Sequence, residues 1–526
     1  MSDLTNTGVF VVEGLSRDQA IPVHRKSVTA FVGPAPRGPV NRPIQINGYD
    51  QYRRIYAAPG CQSRLEHLIR QFFANGGESV WVVRVTGSTR CNYIELPGPA
   101  GSLVLKALNP GPLECLRASV DYDGVSAHDP DCFNLVVQRL RSASEPLVEE
   151  QEIYRMVSLD KGHERFIGHA LLQSTLVQQP LTLPEQRPDA TVSGDAVKVV
   201  GYQDCVIDWP SSSVPDDYDI IGSESTSTGL FALNALPDLD LLCLLPGSED
   251  TELGPVATLA AERYCQARQA LLVVDPPSHW KTATDVMRDH GEGRFHTSNM
   301  MTYFPLLRTR SETGERIIVS AMGAIAGALV AGSGPVQDGR EKLGHDNKSV
   351  MIRGRYQPAI DLTEDQSSFL ARMGINTLMP ATRLQMKFCG NVTSAVDGGL
   401  TGHWKTLTTR REGLFVVGSI RKSTTWVAGE ESSPELWAEI AQQVREFLSE
   451  LRKEGRLAGE LDEEAFYVRC DATTNADTAG RTGELTLLAG FALDKPNEFS
   501  EFRFQRHGDE CQIVELSGVP RLHSGH

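Results

Sequence analysis

The pattern of apolar positions near the start of the chain predicts two strands and a helix. The run Ser27–Val32 favours a strand and is followed by a turn rich in glycine and proline. From Ser63 onward, apolar residues recur at spacings of three and four, which predicts a helix that ends at the Gly76-Gly77 pair. The apolar run Val80–Val85 follows at once and is typical of a buried strand. Together these segments indicate part of an α/β core.

The same alternation returns in the second half of the chain. Asp240–Leu245 is an apolar run suited to a buried strand, Pro255–Arg268 has the periodicity of a helix, and Ala270–Val274 predicts another strand. A strand–helix–strand order usually gives a right-handed crossover between parallel strands. We therefore expect the α/β pattern to resume here with parallel strands.

Between these two parts, residues 91–207 have a different character. Short β-favouring segments alternate with turns rich in proline, aspartate and serine, and helical periodicity is weak. The predicted strands are Leu103–Ala107, Leu116–Tyr122, Phe133–Arg139, Glu152–Val157 and Ala196–Val200. This region is predicted to be a separate, mostly β domain inserted into the α/β domain.

The C-terminal third contains the clearest helix signal. Ser433 can cap a helix with Pro434 at its first position, and an apolar stripe then continues to Leu451 before Gly455 ends the helix. Three strands are predicted after it: Ala465–Cys470, Leu485–Leu493 and Phe499–Phe504.

A further strand is predicted before that helix, at Leu414–Val417, flanked by the basic pairs Arg410-Arg411 and Arg421-Lys422. A chain that is acidic overall and gathers positive charge in one place could present it to an acidic partner. Ordinary charges at the ends of a strand are the alternative interpretation.

Two short β-favouring runs lie at the ends of the chain, Val9–Val12 and Gln512–Leu516. Each stands apart from the regular pattern of its neighbours, and so few residues have little to bury against locally. Both are predicted to be orphan strands, for which pairing with a partner sheet is plausible.

Composition and charge narrow the possible functions. A chain of 526 residues predicts several domains, and a net charge of −16 argues against binding to nucleic acid or to an anionic membrane surface. The ten cysteines are scattered without a C-x-x-C pair, as in a protein whose thiols stay reduced. Met1–Thr7 has neither the basic nor the apolar segment of a signal peptide, so we expect folding in the cytoplasm.

No catalytic, cofactor-binding or metal-binding motif is predicted. The glycines of Gly33–Gly38 lack the following Gly-Lys-Ser/Thr of a phosphate loop, and His163 and His169 have the wrong spacing for a shared metal. Asp216–Asp219 lacks the spacing of a calcium loop and is interpreted as a solvated acidic loop. The Gly323–Gly327 pattern predicts close packing between helices.

Four stretches of the sequence resemble the tail sheath proteins of contractile phages and of related contractile injection systems, such as R-type pyocins and extracellular injection particles. Their order and spacing along the chain make the resemblance specific. They are Thr29–Gly33 with Arg37–Val40; Phe72–Gly77 with Val82–Val85; Thr228–Leu230 with Asp240–Pro246 and Val274–Pro276; and Trp404–Glu412, Thr425–Val427, Phe466–Asp471, Thr474-Asn475, Gly483–Leu485 and Pro496–Phe499.

The resemblance implies an α/β (α+β) core sheath domain with an inserted, mostly β outer domain and extended strand arms at both ends. The implied division is an N-terminal arm (1–26), the core domain in two parts (27–90 and 208–380), the outer domain (91–207), a C-terminal domain facing the tube (381–506) and a C-terminal arm (507–526).

The resemblance further implies a structural, non-enzymatic subunit that needs no cofactor. Such subunits form stacked hexameric rings around an inner tube and contract to drive the tube through a target cell envelope. Further partners would be the baseplate and the tail terminator or cap proteins, with no nucleic acid and no direct membrane insertion. The chain would be made in a bacterial cytoplasm and become part of a virion tail or injection particle.

The implied contacts fall on two sets of residues. The arms would donate strands to neighbouring subunits through Val9, Phe10, Val11, Val12, Gln512, Ile513, Val514, Glu515 and Leu516. The candidate tube-facing residues are Arg410, Arg411, Arg421, Lys422, Glu439, Gln443, Arg445 and Glu446. Another tail structural subunit, of the tube or the baseplate, and an α/β enzyme are the alternative functions.

Overall fold

A computed structural model describes most of the chain between residues 20 and 516. The residues outside the description are 1–19, 25, 62, 126–130, 194–198, 208–213, 249–250, 291–296, 312–313, 332–350, 383–385, 396–403 and 517–526. The predicted arm strand at Val9, Phe10, Val11 and Val12 therefore lies outside the described residues.

A nine-stranded mixed sheet is built from both α/β parts of the sequence. The first part contributes β1 (Thr29–Pro34), β2 (Ile44–Ile46), α1 (Tyr49–Tyr56), α2 (Arg64–Ala74) and β3 (Val80–Val85). The region 91–207 then supplies β4 (Tyr93–Leu96), β5 (Leu103–Lys106), β6 (Leu116–Asp121), β7 (Phe133–Leu140), β8 (Val148–Val157), α3 (Ile167–Ala170), β9 (Val192–Ser193), β10 (Val199–Val200) and β11 (Gln203–Asp204).

The second α/β part completes the large sheet. Its elements are α4 (Asp217–Ile221), β12 (Leu241–Leu244), α5 (Pro255–Arg268), β13 (Leu271–Val274), α6 (Ala283–His290), β14 (Met300–Phe304), β15 (Leu307–Arg310), β16 (Arg316–Val319), α7 (Met322–Ala331), β17 (Met351–Ile352), β18 (Gln357–Pro358), α8 (Glu364–Arg372), β19 (Asn376–Pro380) and β20 (Met386–Cys389). The strand order is β17-β20-β19-β14-β13-β12-β1-β3-β2.

The centre of this sheet is parallel, as the strand–helix–strand pattern predicts. β1 pairs in parallel with β3 on one side and with β12 on the other, and β12, β13 and β14 continue in parallel. Both faces of β1 are buried, since Phe31 lies in one hydrophobic cluster and Ala30 and Val32 lie in another. Burial on both faces explains why these strands are continuous apolar runs in the sequence.

Helices α2 and α7 pack closely across the two parts of the core. Ser63 caps α2 by accepting a hydrogen bond from the Glu66 backbone N–H, as predicted. A methyl group on Gly323 or Gly327 of α7 would overlap the carbonyl oxygens of Leu68 and Phe72 in α2. The glycine spacing therefore marks close helix packing, which confirms the prediction.

The region 91–207 forms smaller antiparallel sheets with a hydrophobic cluster of their own. One sheet has the order β11-β6-β7-β8, and β4 pairs with β5. Ile94, Leu105, Ala118, Phe133 and Leu135 belong to the buried cluster between them. The predicted strands Leu103–Ala107, Leu116–Tyr122, Phe133–Arg139 and Glu152–Val157 are confirmed, whereas most of Ala196–Val200 lies outside the described residues. The division of this region from the core as a separate outer domain stays a prediction.

The C-terminal region combines long helices with a four-stranded antiparallel sheet. Its elements are α9 (Leu407–Ser423), α10 (Pro434–Lys453), α11 (Asp462–Ala465), β21 (Phe466–Arg469), α12 (Ala472–Asn475), β22 (Glu484–Ala492), β23 (Phe499–His507) and β24 (Glu510–Glu515), with the strands in the order β21-β22-β23-β24. Ser433 caps α10, and the apolar stripe of this helix packs on the sheet.

Two sequence predictions in this region are wrong. Leu414–Val417 is the middle of helix α9 and not a strand, because its apolar residues bridge two hydrophobic clusters. Gln512–Leu516 is not an orphan strand, because Glu510–Glu515 pairs antiparallel with β23 of the same chain.

The acidic run at Asp216–Asp219 also differs from its prediction as a solvated loop. Asp216 caps α4 by accepting a hydrogen bond from the Asp219 backbone N–H, and the Asp219 carboxylate accepts from the Asp216 backbone N–H. The two aspartates therefore form a reciprocal capping box at the start of a helix.

Candidate functional site

Helix α9 connects the large sheet to the C-terminal region. Leu407 and Leu414 belong to the hydrophobic cluster of the large sheet, whereas Val416, Val417 and Ile420 belong to that of the C-terminal region. A single helix thus contributes to two cores. The basic residues predicted as a surface patch all lie on or at the end of this helix.

Arg410 is buried and not available for a surface contact, so its prediction as a tube-facing residue is wrong. Its Nη2 donates a hydrogen bond to Asn299 Oδ1 at 2.7 Å, and its guanidinium lies 4.8 Å from the ring centroid of Trp404. Burial lowers the pKa of Arg410 to about 10, and the carboxylates of Glu515 and Glu262 act in the opposite direction.

Arg411 also points into the protein. Its Nη2 donates to the Leu329 carbonyl oxygen at 3.1 Å. Burial lowers the pKa of the Arg411 guanidinium, and the nearby carboxylate of Asp240 partly opposes this shift. Arg411 is only partly buried in the single chain, so a tube contact for it stays a prediction.

Arg421 and Lys422 lie at the C-terminal end of α9 and join it to the large sheet's helices and loops. Arg421 donates to the Ala267 carbonyl oxygen at 3.5 Å, and Lys422 Nζ lies 2.7 Å from Asp238 Oδ2. The Lys422 side chain remains 43% exposed. A tube contact for these two residues stays a prediction.

The exposed face of α10 carries the remaining candidate tube-facing residues. Arg445 and Glu446 are exposed, while Glu439 and Gln443 are partly buried. Gln442 Nε2 donates to Glu446 Oε1 at 2.7 Å, and Arg445 Nη2 donates to the Val468 carbonyl oxygen at 3.3 Å. The face is mixed in charge, and its role as a tube contact stays a prediction.

Strand β24 forms one edge of the C-terminal sheet. Gln512 lies opposite Gln505, Ile513 opposite Phe504 and Val514 opposite Arg503, and the Leu516 backbone N–H donates to the Glu501 carbonyl oxygen at 2.9 Å. Ile513 packs against the C-terminal hydrophobic cluster. On its other side, β24 has no neighbouring strand among the residues that the structure describes.

The end of β24 meets a buried tryptophan. Trp404 is fully buried, and its indole N–H donates a hydrogen bond to Glu515 Oε1 at 2.7 Å. The Trp404 ring also lies 6.1 Å from the ring of Phe502, which stacks on Phe491. The sequence predicts a strand at Glu515 but carries no signal for its contact with Trp404, 111 positions away in the chain.

The first described residues of the chain also lie against the C-terminal region. Ile21 is part of the C-terminal hydrophobic cluster, and the Val23 carbonyl oxygen accepts a hydrogen bond from Arg456 Nη1 at 2.5 Å. His24 Nε2 lies 2.9 Å from Glu454 Oε1. The chain therefore runs along the C-terminal region before it enters the large sheet.

A second junction connects the large sheet to the β-rich region 91–207. Arg84 of β3 is buried and donates hydrogen bonds to three carbonyl oxygens: Ala35 at 2.7 Å, Gly38 at 2.6 Å and Pro110 at 2.5 Å. Because Pro110 belongs to the β-rich region, one guanidinium holds both parts.

An ion pair crosses the same junction. Arg37 Nη2 lies 2.8 Å from Glu149 Oε2, with side-chain exposures of 1% and 25%. Glu114 is fully buried next to Arg139, at 3.5 Å, and burial raises the pKa of its carboxyl group against the effect of Arg139 and Arg37. The junction is therefore made largely of charged and polar groups.

The described residues contain no group of three or more histidine, cysteine, aspartate or glutamate side chains placed to hold a metal ion. An open cleft of about 510 Å³ lies on the β-rich region; its lining residues include Arg90, Tyr93, Lys106 and Gln178. No helix in the described part of the chain is long and apolar enough to cross a membrane.

Solved structures of tail sheath proteins share this fold over nearly the whole chain. The contracted helical sheath of the anti-feeding prophage is 14% identical, with a TM-score of 0.52 over 95% of this chain and 98% of that one. The sheath tail protein of Listeria innocua is 12% identical, with a TM-score of 0.57 over 95% and 96%.

A third relative comes from an extracellular contractile injection system. The contracted PVC sheath complex is 14% identical, with a TM-score of 0.51 over 95% of this chain and 97% of that one. No protein-family model matches the sequence, and no curated protein does. The resemblance to tail sheath proteins is therefore confirmed at the level of the fold, over almost the full length of the chain.

Proposed function

We propose that this chain is the subunit of a contractile tail sheath. The observation that carries the proposal is the two-way coverage: 95% of this chain aligns with 96–98% of three different sheath chains. A fold alone does not determine a function, but the alignment spans both the large mixed sheet and the C-terminal sheet of this chain. Two of the aligned sheaths were solved in their contracted state.

In the proposed assembly, subunits form stacked hexameric rings around an inner tube, and contraction drives that tube through a target cell envelope. The baseplate, the tube and a terminator or cap protein are the expected partners. The protein is expected to be made in a bacterial cytoplasm and to act as part of a virion tail or injection particle, without catalysis. Contraction would use free energy stored in the lattice during assembly.

Two features of the C-terminal region support strand exchange between subunits. The outer edge of β24 has no neighbour among the described residues, so its backbone groups can pair with an added strand. Residues 20–24 lie against the same region, which brings the start of the chain close to the C-terminal sheet. We propose that Val9–Val12 and Gln512–Leu516 link neighbouring subunits in the assembled sheath.

The tube-facing surface is proposed to include the exposed face of α10 and the end of α9. Arg445, Glu446 and Lys422 remain accessible in the single chain, whereas Arg410 is removed from the candidate set by its burial. The proposed surface therefore combines the exposed face of α10 with the end of α9 and excludes Arg410.

Electron microscopy of the purified full-length protein tests this function. Striated helical cylinders are expected, and monodisperse monomers under all assembly conditions would contradict the proposal. A chain lacking Met1–Ser16 should keep the circular dichroism spectrum and the melting temperature of the full chain but lose the cylinders. Normal cylinders from the shortened chain would contradict the role of the N-terminal arm while leaving the sheath function supported.

A further inference from the structure

The end of the C-terminal strand is held by a preformed pocket. Trp404 is fully buried and donates its indole N–H to Glu515 Oε1 at 2.7 Å. The buried guanidinium of Arg410 lies over the same indole ring, 4.8 Å from its centroid. Gly413 gives the ring its space, because a methyl group there would lie 2.6 Å from Trp404 Cζ3.

The pocket selects for negative charge. Burial lowers the pKa of Arg410 to about 10, because a charged guanidinium is less stable in a buried site than in water. The carboxylate of Glu515 opposes this shift more strongly than that of Glu262. A buried indole N–H also loses free energy when it has no acceptor. The carboxylate of Glu515, a residue that is itself exposed, accepts the indole N–H and offsets part of the cost of burying Arg410.

The position of the carboxylate fixes the register of β24. Ile513 and Cys511 share the face of Glu515 and pack on the C-terminal cluster, whereas Glu510 is five positions away and faces the opposite side. A shift of β24 by two residues would place Ile513 against the indole N–H, and a shift of one residue would turn the whole apolar set away from the core. Each shift leaves the pocket without an anion.

The pocket also connects β24 to the large sheet. Arg410 Nη2 donates to Asn299 Oδ1 at 2.7 Å, and Asn299 Nδ2 donates to the Ala270 carbonyl oxygen at 2.9 Å. The Leu272 backbone N–H, in β13, donates to the Asn299 carbonyl oxygen at 2.8 Å. A continuous set of hydrogen bonds and ring contacts therefore runs from Glu515, at the end of β24, to Leu272 in β13 of the large sheet.

We propose that Trp404 and Arg410 form a carboxylate-binding pocket that fixes the register of the strand occupying the β24 position and transmits the presence of that strand to the large sheet through Asn299. Its ligand is an acidic side chain on an extended strand, supplied here by Glu515. The proposal rests on contacts within one chain and does not depend on the sheath function.

Hydrogen exchange of the full-length protein, measured by mass spectrometry, tests the pocket. In a Glu515→Gln variant, the amides of β24 and of β13, including Leu272, are expected to exchange about fivefold faster, which corresponds to ~1 kcal/mol. The matched control is Glu510→Gln, which removes the same charge from the same strand and is expected to change neither segment by more than about twofold. Equal acceleration of amide exchange in the two variants would overturn the proposal that Trp404 and Arg410 bind the Glu515 carboxylate.

A second variant separates the pocket from general damage to the strand. Trp404→Phe keeps an aromatic ring but removes the N–H donor, and Glu515→Met removes the acceptor, which Glu515→Gln would retain. Adding Glu515→Met to Trp404→Phe is therefore expected to produce less than half of the acceleration that Glu515→Met produces alone. Full additivity of the two substitutions would overturn the proposed bond. Faster exchange in β24 without any change in β13 would overturn the transmission through Asn299.

Discussion

The large sheet contacts the β-rich region through buried arginines and contacts the C-terminal region through a shared helix. At the first junction, Arg84 and Arg37 reach across to Pro110 and Glu149. At the second, α9 places apolar residues in both cores, and charged contacts such as Lys422 with Asp238 lie at its end. The second junction also contains a buried arginine, Arg410, which donates to Asn299, so the two junctions differ in the apolar contact that α9 adds.

This difference determines how each junction fails. Removing one partner from a buried polar contact leaves the other partner unpaired and costs more than the contact itself contributes. Truncating an apolar side chain lowers the free energy of unfolding by an amount that grows with the buried apolar area lost and with the volume of the cavity left behind. The polar junction is therefore expected to tolerate few substitutions at its arginines, whereas the apolar junction should respond gradually.

The largest effect is expected for Arg84→Met. The substitution leaves three carbonyl oxygens, those of Ala35, Gly38 and Pro110, without their donor in a buried site. We expect the free energy of unfolding to fall by ~3–5 kcal/mol, measured by urea denaturation. Arg53→Met, an exposed arginine on α1, is the control and should change it by less than ~0.5 kcal/mol. A loss below ~1 kcal/mol at Arg84 would contradict the difference between the junctions.

A smaller loss is expected for Leu414→Ala at the apolar junction. Leu414 is almost completely buried where α9 meets the large sheet, so truncation removes apolar contact and leaves a cavity. The expected decrease in the free energy of unfolding is ~2–4 kcal/mol. Leu259→Ala on α5 removes the same atoms from a leucine that is 40% exposed, and it should cost less than half as much. Equal losses would show that α9 does not depend on this contact.

The smallest effects compare one ion pair from each junction. Glu149→Gln leaves the buried Arg37 without its carboxylate and is expected to cost ~1–2 kcal/mol. Asp238→Asn breaks the pair with the more exposed Lys422 and is expected to cost less than ~1 kcal/mol. Thermal denaturation of both variants measures the two losses in stability, which can then be compared. A larger loss of stability for Asp238→Asn than for Glu149→Gln would contradict the prediction that the junction with the β-rich region depends more on its ion pairs.

The sequence predicted the elements whose signals are local. Ser433, Pro434 and the stripe that follows identify α10 almost to the residue, and the run Val80–Val85 coincides with β3. The segment Leu414–Val417 was wrongly predicted as a strand because it contains β-branched and aromatic residues, which favour strands locally. The spacing of Leu407, Leu414 and Val417, which returns to one helix face, was the signal that identifies α9.

The pairing of the last strand had a local signal as well. Gly508 and Asp509 form a two-residue connection between His507 and Glu510, and Gly508 has a φ of 61°. A glycine–aspartate pair between two β-favouring runs is typical of a tight hairpin. The contacts of Arg84 and of Trp404 had no such signal, because they join positions that only the folded chain brings together.

The order of strands in the large sheet has a consequence for synthesis of the chain on the ribosome. β1 can pair with β3 soon after both emerge, but its other neighbour, β12, begins about 155 positions after β3 ends. At common translation rates this delay is on the order of 10–30 s. During that time the unpaired edge of β1 can pair with a strand of another nascent chain. The yield of folded protein in cells is therefore expected to depend on whether chaperones cover this edge until β12 is made.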